Sequence, residues 1–159
     1  SILQINFFFK RYGAKEDLHS IIDLGELLQV ESGVYEPDII YNRQEAYNHY
    51  LSELKNPNAR IIIAIDDEKI VGYQYSFIED LNYLSTNNRQ CTLEALYLLP
   101  NARNHGTGRK LVEEAERWAL EDMKANRIKA NIYVGNTASE SIHINEGYKP
   151  HNIEYLKLI

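Results

Sequence analysis

The chain has 159 residues, a formal net charge of -6 and 44% hydrophobic residues, which suits one domain able to bury about two-thirds of its unfolded surface without staples. Its single cysteine, Cys91, excludes an intrachain disulfide and a cysteine-based zinc site and fits a reducing compartment. The acidic balance argues against nucleic acid as the main partner, because duplex binding rests on neutralising phosphates.

No apolar run approaches the roughly 18 residues that a membrane span needs. The opening Ser1-Ile-Leu-Gln-Ile-Asn6 lacks the pattern of a secretory signal. A cytoplasmic protein with no membrane partner is expected. Neither repeats nor linker-like stretches interrupt the sequence, so residues 1–159 read as a single domain.

The predicted elements follow in chain order. Phe7 to Tyr12 reads as a short strand ended by Gly13. From about Lys15 to Val30, Leu18, Ile21, Ile22 and Leu28 fall on one helical face that Gly25 shares. The stretch Glu31 to Asp38 is a loop by its Gly and Pro content. A second helix runs from about Asn42 to Leu54, with Ala46, Tyr47, Tyr50, Leu51 and Leu54 as its stripe, and Asn56-Pro57 stops it. Arg60–Ile65 and Ile70–Phe77 form a hairpin across Asp66–Lys69. A polar turn from Asn82 to Arg89 leads into the strand Cys91–Leu98. A long helix then reaches about Asn126, with Leu111, Val112, Ala115, Trp118, Ala119 and Met123 on its buried side. Ile128–Val134 is a strand and Thr137–Asn145 a short helix ended by Gly147. The segment Tyr148–Ile159 alternates enough for one or two closing strands. The sum is a mixed α+β sheet with one parallel crossover.

That crossover begins with the most informative stretch. An apolar strand, Pro100, and a loop with Gly106 and Gly108 open the long helix. Glycines let backbone N–H groups approach an anion, and the helix N-terminus adds partial positive charge. The loop is also basic: Arg103, His105, Arg109 and Lys110, with no acid from Pro100 to Val112. A nucleotide-triphosphate loop needs Gly-Lys-Ser/Thr, but Gly108 precedes Arg109-Lys110-Leu111. A dinucleotide fingerprint needs a small residue where Leu111 stands. The pattern Arg/Gln-x-x-Gly-x-Gly/Ala, in contrast, is met at every defined position by Arg103-Asn104-His105-Gly106-Thr107-Gly108.

This last pattern resembles the signature of the GNAT N-acetyltransferase superfamily. Leu96-Tyr-Leu-Leu-Pro100 before the loop is similar to that family's fourth strand. Asn136-x-x-Ser139-x-x-Ile142-His143-x-x-x-Gly147-Tyr148 resembles its later Asn-x-x-Ala-x-x-aliphatic-Tyr-x-x-x-Gly-aromatic element. The resemblance implies a central, mostly antiparallel sheet of six to seven strands flanked by about four helices. It further implies transfer of an acetyl group from acetyl-CoA to an amine.

On that resemblance, the backbone from Arg103 to Arg109, including Asn104, His105 and Thr107, would hold the pyrophosphate. Leu96, Tyr97 and Leu98 would pair with pantetheine at a strand edge opened by a bulge. The Leu98 amide would face the thioester oxygen, and Asn136 and Ser139 would also touch the coenzyme. Glu94 lies at the spacing of a family general base; one carboxylate in an apolar strand is either such a base, acting directly or through water, or a solvent-facing residue that guards a strand edge. An amine of pKa near 10.4 is only about 0.04% neutral at pH 7, so a proton acceptor helps. His143 stands where the family has a tyrosine acid; it can protonate a thiolate or act as a base. Tyr133 and Tyr148 are fallback donors. Asn131 replaces a glutamate found in members that acetylate ribosomal protein N-termini, which disfavours that branch.

Substrate selection is expected from the Gly33–Tyr41 loop and the Asp80–Arg89 turn, through Tyr35, Glu36, Asp80 and Tyr83. Acids interleaved with aromatics suit a cationic amine. The expected partner is therefore a small-molecule amine, with a homodimer as a further expectation, acetyl-CoA as donor and no metal. Two other readings stand beside this one: a protein or peptide lysine acetyltransferase, and a non-catalytic acyl-CoA sensor.

Overall fold

In a computed structural model, residues 8–10, 14–82 and 88–159 are described. The first amphipathic stretch forms α1 (Leu18–Ser32), burying Leu18, Ile21, Ile22, Leu24 and Gly25 on one side. Gly25 is there because space is short: a β-carbon would lie 2.7 Å from the Tyr41 hydroxyl oxygen. Next comes α2 (Arg43–Glu53). Its N-cap Asn42 accepts a hydrogen bond from the Glu45 N–H at 3.1 Å.

Five strands make one sheet in chain order: β1 (Phe8–Lys10), β2 (Ala59–Asp66), β3 (Lys69–Asp80), β4 (Arg89–Leu98) and β5 (Arg127–Ala130). The first four are antiparallel neighbours, and β5 joins β4 in parallel. The β2–β3 turn holds Asp67 and Glu68 at φ 46° and 64°, left-handed as a two-residue hairpin turn requires. A parallel pair needs a crossover, and α3 (Thr107–Arg117) supplies it. Finally α4 (Thr137–Asn145) packs beside α3 and ends before Gly147, whose φ is 90°.

The sheet has a core on each face. Ile61, Ile63, Tyr73, Tyr75 and Tyr97 meet α1 and α2; Ile62, Ala64, Cys91 and Leu93 meet Leu111, Val112, Ala115 and Trp118 of the α3 side. Neighbouring residues of β2 thus serve opposite cores, as strand alternation demands.

Four helices and the mixed α+β class match the sequence expectation, but the strand count does not. Five strands are present among the described residues in place of six to seven. Among the described residues the segment after Tyr148 has no strand partner, with Ile153, Tyr155 and Leu156 at 62%, 92% and 63% exposure. Alternation makes a segment able to be a strand, but only a partner ladder makes it one. For the same reason β5 stops at Ala130 and not at Val134, because β4 has left it. The long helix also ends sooner than Asn126. Past Arg117 it widens into a π turn, with the Met123 N–H bonding the Trp118 carbonyl at 3.0 Å, and Lys124 at φ 57° terminates it. Tyr83, most of the 82–89 turn and the ends of the first strand lie outside the described residues. No helix among the described residues is long and apolar enough to cross a membrane.

Candidate active site

The site is built around an irregularity in β4. Leu93 pairs with Ser76 and Ala95 with Tyr75, so Glu94 is an extra residue opposite no single partner. This is a β-bulge. It reverses which residues face which core: Cys91 and Leu93 point to the α3 side before it, yet Leu96 and Leu98 do so after it, while Ala95 and Tyr97 face α1. The pairing of β4 with β5 also ends at this point, at Leu93 and Ala130. From Glu94 to Leu98 the β5-side edge of β4 therefore has no strand partner among the described residues, because β5 ends at Ala130.

Where β4 ends, the basic loop turns into α3. Gly106 caps the helix at φ 80°, a left-handed conformation that glycine adopts without strain, and Asn104 is left-handed too at φ 65°. The first-turn amides of Thr107, Gly108 and Arg109 have no intrahelical acceptor, which leaves three aligned donors beside the open edge. The Thr107 hydroxyl is buried and has no hydrogen-bond partner among the described residues. At Gly108 a β-carbon would stand 3.1 Å from Ile142 Cδ1, so this glycine brings α3 close to α4.

Arg103 braces this loop. Its Nε donates to the Leu98 carbonyl at 2.9 Å, its Nη2 donates to both Glu31 oxygens at 2.9 and 3.0 Å, and its guanidinium lies 5.3 Å from the Tyr97 ring centre. Arg109 is held by Glu113 and Glu146, and His105 is exposed.

Along the open edge lies a cavity of about 180 Å³ that Glu94, Leu96, Asn136, Ser139 and His143 all line. Glu94 is exposed at its mouth. His143 is buried at 5% exposure, its ring set edge-on against Tyr148 at 5.2 Å. His143 Nδ1 lies 2.8 Å from the Ser139 carbonyl oxygen. A carbonyl only accepts, so Nδ1 carries the hydrogen and Nε2 keeps a free lone pair. Burial pushes the imidazole pKa below its usual value, opposed by the Ser139 carbonyl and by Glu146. The resting form is neutral, so His143 enters a reaction as a proton acceptor.

Both fallback donors are already committed. The Tyr133 hydroxyl donates to Glu36 at 3.2 Å and the Tyr148 hydroxyl to Glu116 at 3.3 Å; burial first, and then those carboxylates, raise both phenol pKa values. The Asn136 side chain caps α4, accepting from the Ser139 N–H at 3.3 Å. Tyr35 stacks on Tyr133, ring centres 4.7 Å apart, which brings the 33–41 loop to the cavity wall. Asp80 is elsewhere: it sits at the end of β3, bonded to Arg89 at 3.1 Å, and is not among the lining residues.

Sequence reasoning missed three polar contributors. Gln29 and Ser32 of α1 line the cavity, and no motif marks them. Gln74 lines it too and is 1% exposed, its amide bonding Ser76 Oγ at 2.6 Å. A polar residue inside Ile70–Phe77 was the available signal.

A family model described as "Acetyltransferase (GNAT) family" matches residues 22–144. The chain belongs to that family. It is also 30% identical over 130 residues, covering 80% of this chain and 82% of the other, to an uncharacterised N-acetyltransferase of Archaeoglobus fulgidus. Two solved structures share the fold. The tetramutant of a Bacillus halodurans protein superposes with TM-score 0.82 at 15% identity, covering 95% of this chain and 99% of that one. The aminoglycoside N-acetyltransferase AAC(6')-Iy, in complex with CoA, gives TM-score 0.77 at 18% identity, with 98% and 99% covered.

As a GNAT N-acetyltransferase, the chain gives the geometry its context: a bulged strand, a helix N-terminus at its end and a cavity between belong to one acyl-transfer scaffold. The matched residues take in most of α1, all of α2 and the stretch from β2 to all but the last residue of α4, and so every residue that lines the cavity.

Proposed function

We propose that the protein moves an acetyl group from acetyl-CoA to a primary amine of a small cationic molecule. One observation carries this reading: a single carboxylate, Glu94, stands on the bulge where β4 loses its partner, in the same cavity as the neutral His143.

The residues present fit the coenzyme. A diphosphate suits the free amides of Thr107, Gly108 and Arg109 and the unpartnered Thr107 hydroxyl. An extended amide-bearing arm suits the open edge at Leu96–Leu98, where it can take the ladder hydrogen bonds that β5 does not. Asn136 and Ser139 lie on the far wall of the same cavity. Bound there, acetyl-CoA supplies an acyl carbon open to attack by an amine.

The chain's own residues then manage protons and charge. Glu94 attracts the incoming ammonium group and accepts its first proton, directly or through water. His143 Nε2 accepts the second proton, shed as the new C–N bond forms, and can return it to a departing thiolate. The Leu98 amide stands ready for the charge that grows on the acyl oxygen. Glu36, close to Tyr133 at the cavity wall, favours a cationic acceptor. The aminoglycoside activity named for a fold relative agrees with a small polar amine, although likeness at 18% identity speaks for fold alone.

We also propose a homodimer, supported by the exposed apolar side chains of Ile153, Tyr155 and Leu156 in an unpaired segment. The buried free thiol of Cys91 supports a reducing, cytoplasmic setting. A thiol-release assay against a panel of amines tests the reaction. Release with small amines upholds it, release with lysine peptides alone moves the substrate to protein, and coenzyme binding without release points to a sensor.

A further inference from the structure

A second groove, about 370 Å³, lies between the end of α1 and the 33–41 loop. Two side chains link it to the cavity of Glu94 and His143. Gln29 lines both spaces, and its Nε2 is buried with no hydrogen-bond partner among the described residues. Tyr133 lines the cavity and donates to Glu36, which lines the groove.

The groove sets two carboxylates, Glu26 and Glu36, among the apolar Val30, Pro37 and Ile40. The nearby cation does not cancel them: Arg43 bonds Asp23 at 2.7 Å and reaches Glu26 only at 3.4 Å, with both partners exposed. Such a pair contributes little, and the groove keeps its negative sign. A buried amide N–H without an acceptor is unfavourable. A ligand that passes from cavity to groove relieves it, provided an oxygen of the ligand lies at the junction.

We propose that the groove is the second half of the acceptor site and takes a second ammonium group of the substrate. Glu26 and Glu36 bind that cation, and a hydroxyl or ether oxygen between the two amines accepts from Gln29. The substrate class is a hydroxylated polyamine, acetylated on the amine that reaches Glu94. This rests on the acetyl-transfer reading of the cavity.

Thiol-release rates test it with three probes: an alkyl monoamine, a linear diamine of matched length, and that diamine with a hydroxyl on its linker. The diamine is expected to exceed the monoamine in kcat/KM by about tenfold, equal to roughly 1.4 kcal/mol. Glu26→Gln should bring that ratio close to one. Gln29→Leu should abolish the advantage of the hydroxyl and keep the diamine-to-monoamine ratio. A wild-type ratio near one, or a ratio unmoved in Glu26→Gln, overturns the groove while monoamine turnover still upholds acetyl transfer. If no amine releases thiol, the acetyl-transfer reading falls and calorimetry with the hydroxylated diamine decides the groove. Binding about tenfold weaker in Glu26→Gln supports it; equal or absent binding overturns it.

Discussion

The two halves of β4 are one continuous strand with opposite duties. Arg89–Leu93 is bonded on both sides, to β3 and, through Gln90–Leu93 and the Asn126 N–H on the Arg89 carbonyl, to β5 and its approach, and buries Cys91 and Leu93 in the α3 core. Beyond the unpaired Glu94, Ala95–Leu98 keeps β3 and has no strand on its other side among the described residues. The first half is scaffold and satisfies its backbone within the sheet. The second half leaves backbone groups for a ligand, and it is there that Glu94 and the cavity lie. One inserted residue separates the two, so the contrast can be attacked at that residue.

Deletion of Glu94 should have the largest effect. It makes Leu93–Ser76 and Ala95–Tyr75 consecutive pairs of an unbroken ladder, so Leu96, Tyr97 and Leu98 keep their faces while the bulge and its carboxylate are lost together. We expect a cooperative thermal melt to remain and thiol release to fall further than in Glu94→Gln; a deletion variant with parental turnover would show that neither the bulge nor its carboxylate serves the reaction.

Glu94→Gln retains the bulge and removes only the charge. Turnover should fall by about 100-fold or more when the pH is below the substrate amine's pKa. The defect should shrink as pH rises, because the amine then arrives already neutral. A loss of equal size at every pH would remove Glu94 from the role of base.

His143 tests the other wall of the open half. Its folded pKa lies below the unfolded value, near 6.5, so the unfolded chain binds more protons in the window between them. Stability should therefore fall as pH drops below about 6.5. His143→Gln should flatten that fall in melting temperature. An unchanged slope means that the ring is not held neutral by burial.

The smallest expected effect is at the turn after the open half. Gly106→Ala meets no atom within 4 Å, so its cost is the left-handed backbone alone, about 1–2 kcal/mol of stability. Chemical denaturation measures it, and a neutral result would mean the loop relaxes out of φ 80°.

Much of this was legible because local chemistry and tertiary structure agree. Gly106 and Gly108 after an apolar strand marked the anion-holding turn, the apolar stripes of α1 and α3 marked their buried faces, and Gly147 marked the end of α4. Glu94 was visible as a lone acid among apolar neighbours. The bulge itself had a signal that alternation rules read poorly: Cys91 and Leu93, then Leu96 and Leu98, is a break in parity. Gln29 was not legible, since a polar helix residue takes its meaning from the loop packed against it. The tail after Tyr148 misled in the opposite direction, because alternating sequence does not supply a pairing partner.

Hydrogen exchange with and without CoA measures the division of β4 most directly. Protection should rise in peptides spanning Leu96–Leu98 and Thr107–Arg109 and stay level across Arg89–Leu93, which is already bonded on both sides. Tight binding of CoA with protection confined to other elements would contradict the open half as the coenzyme's seat.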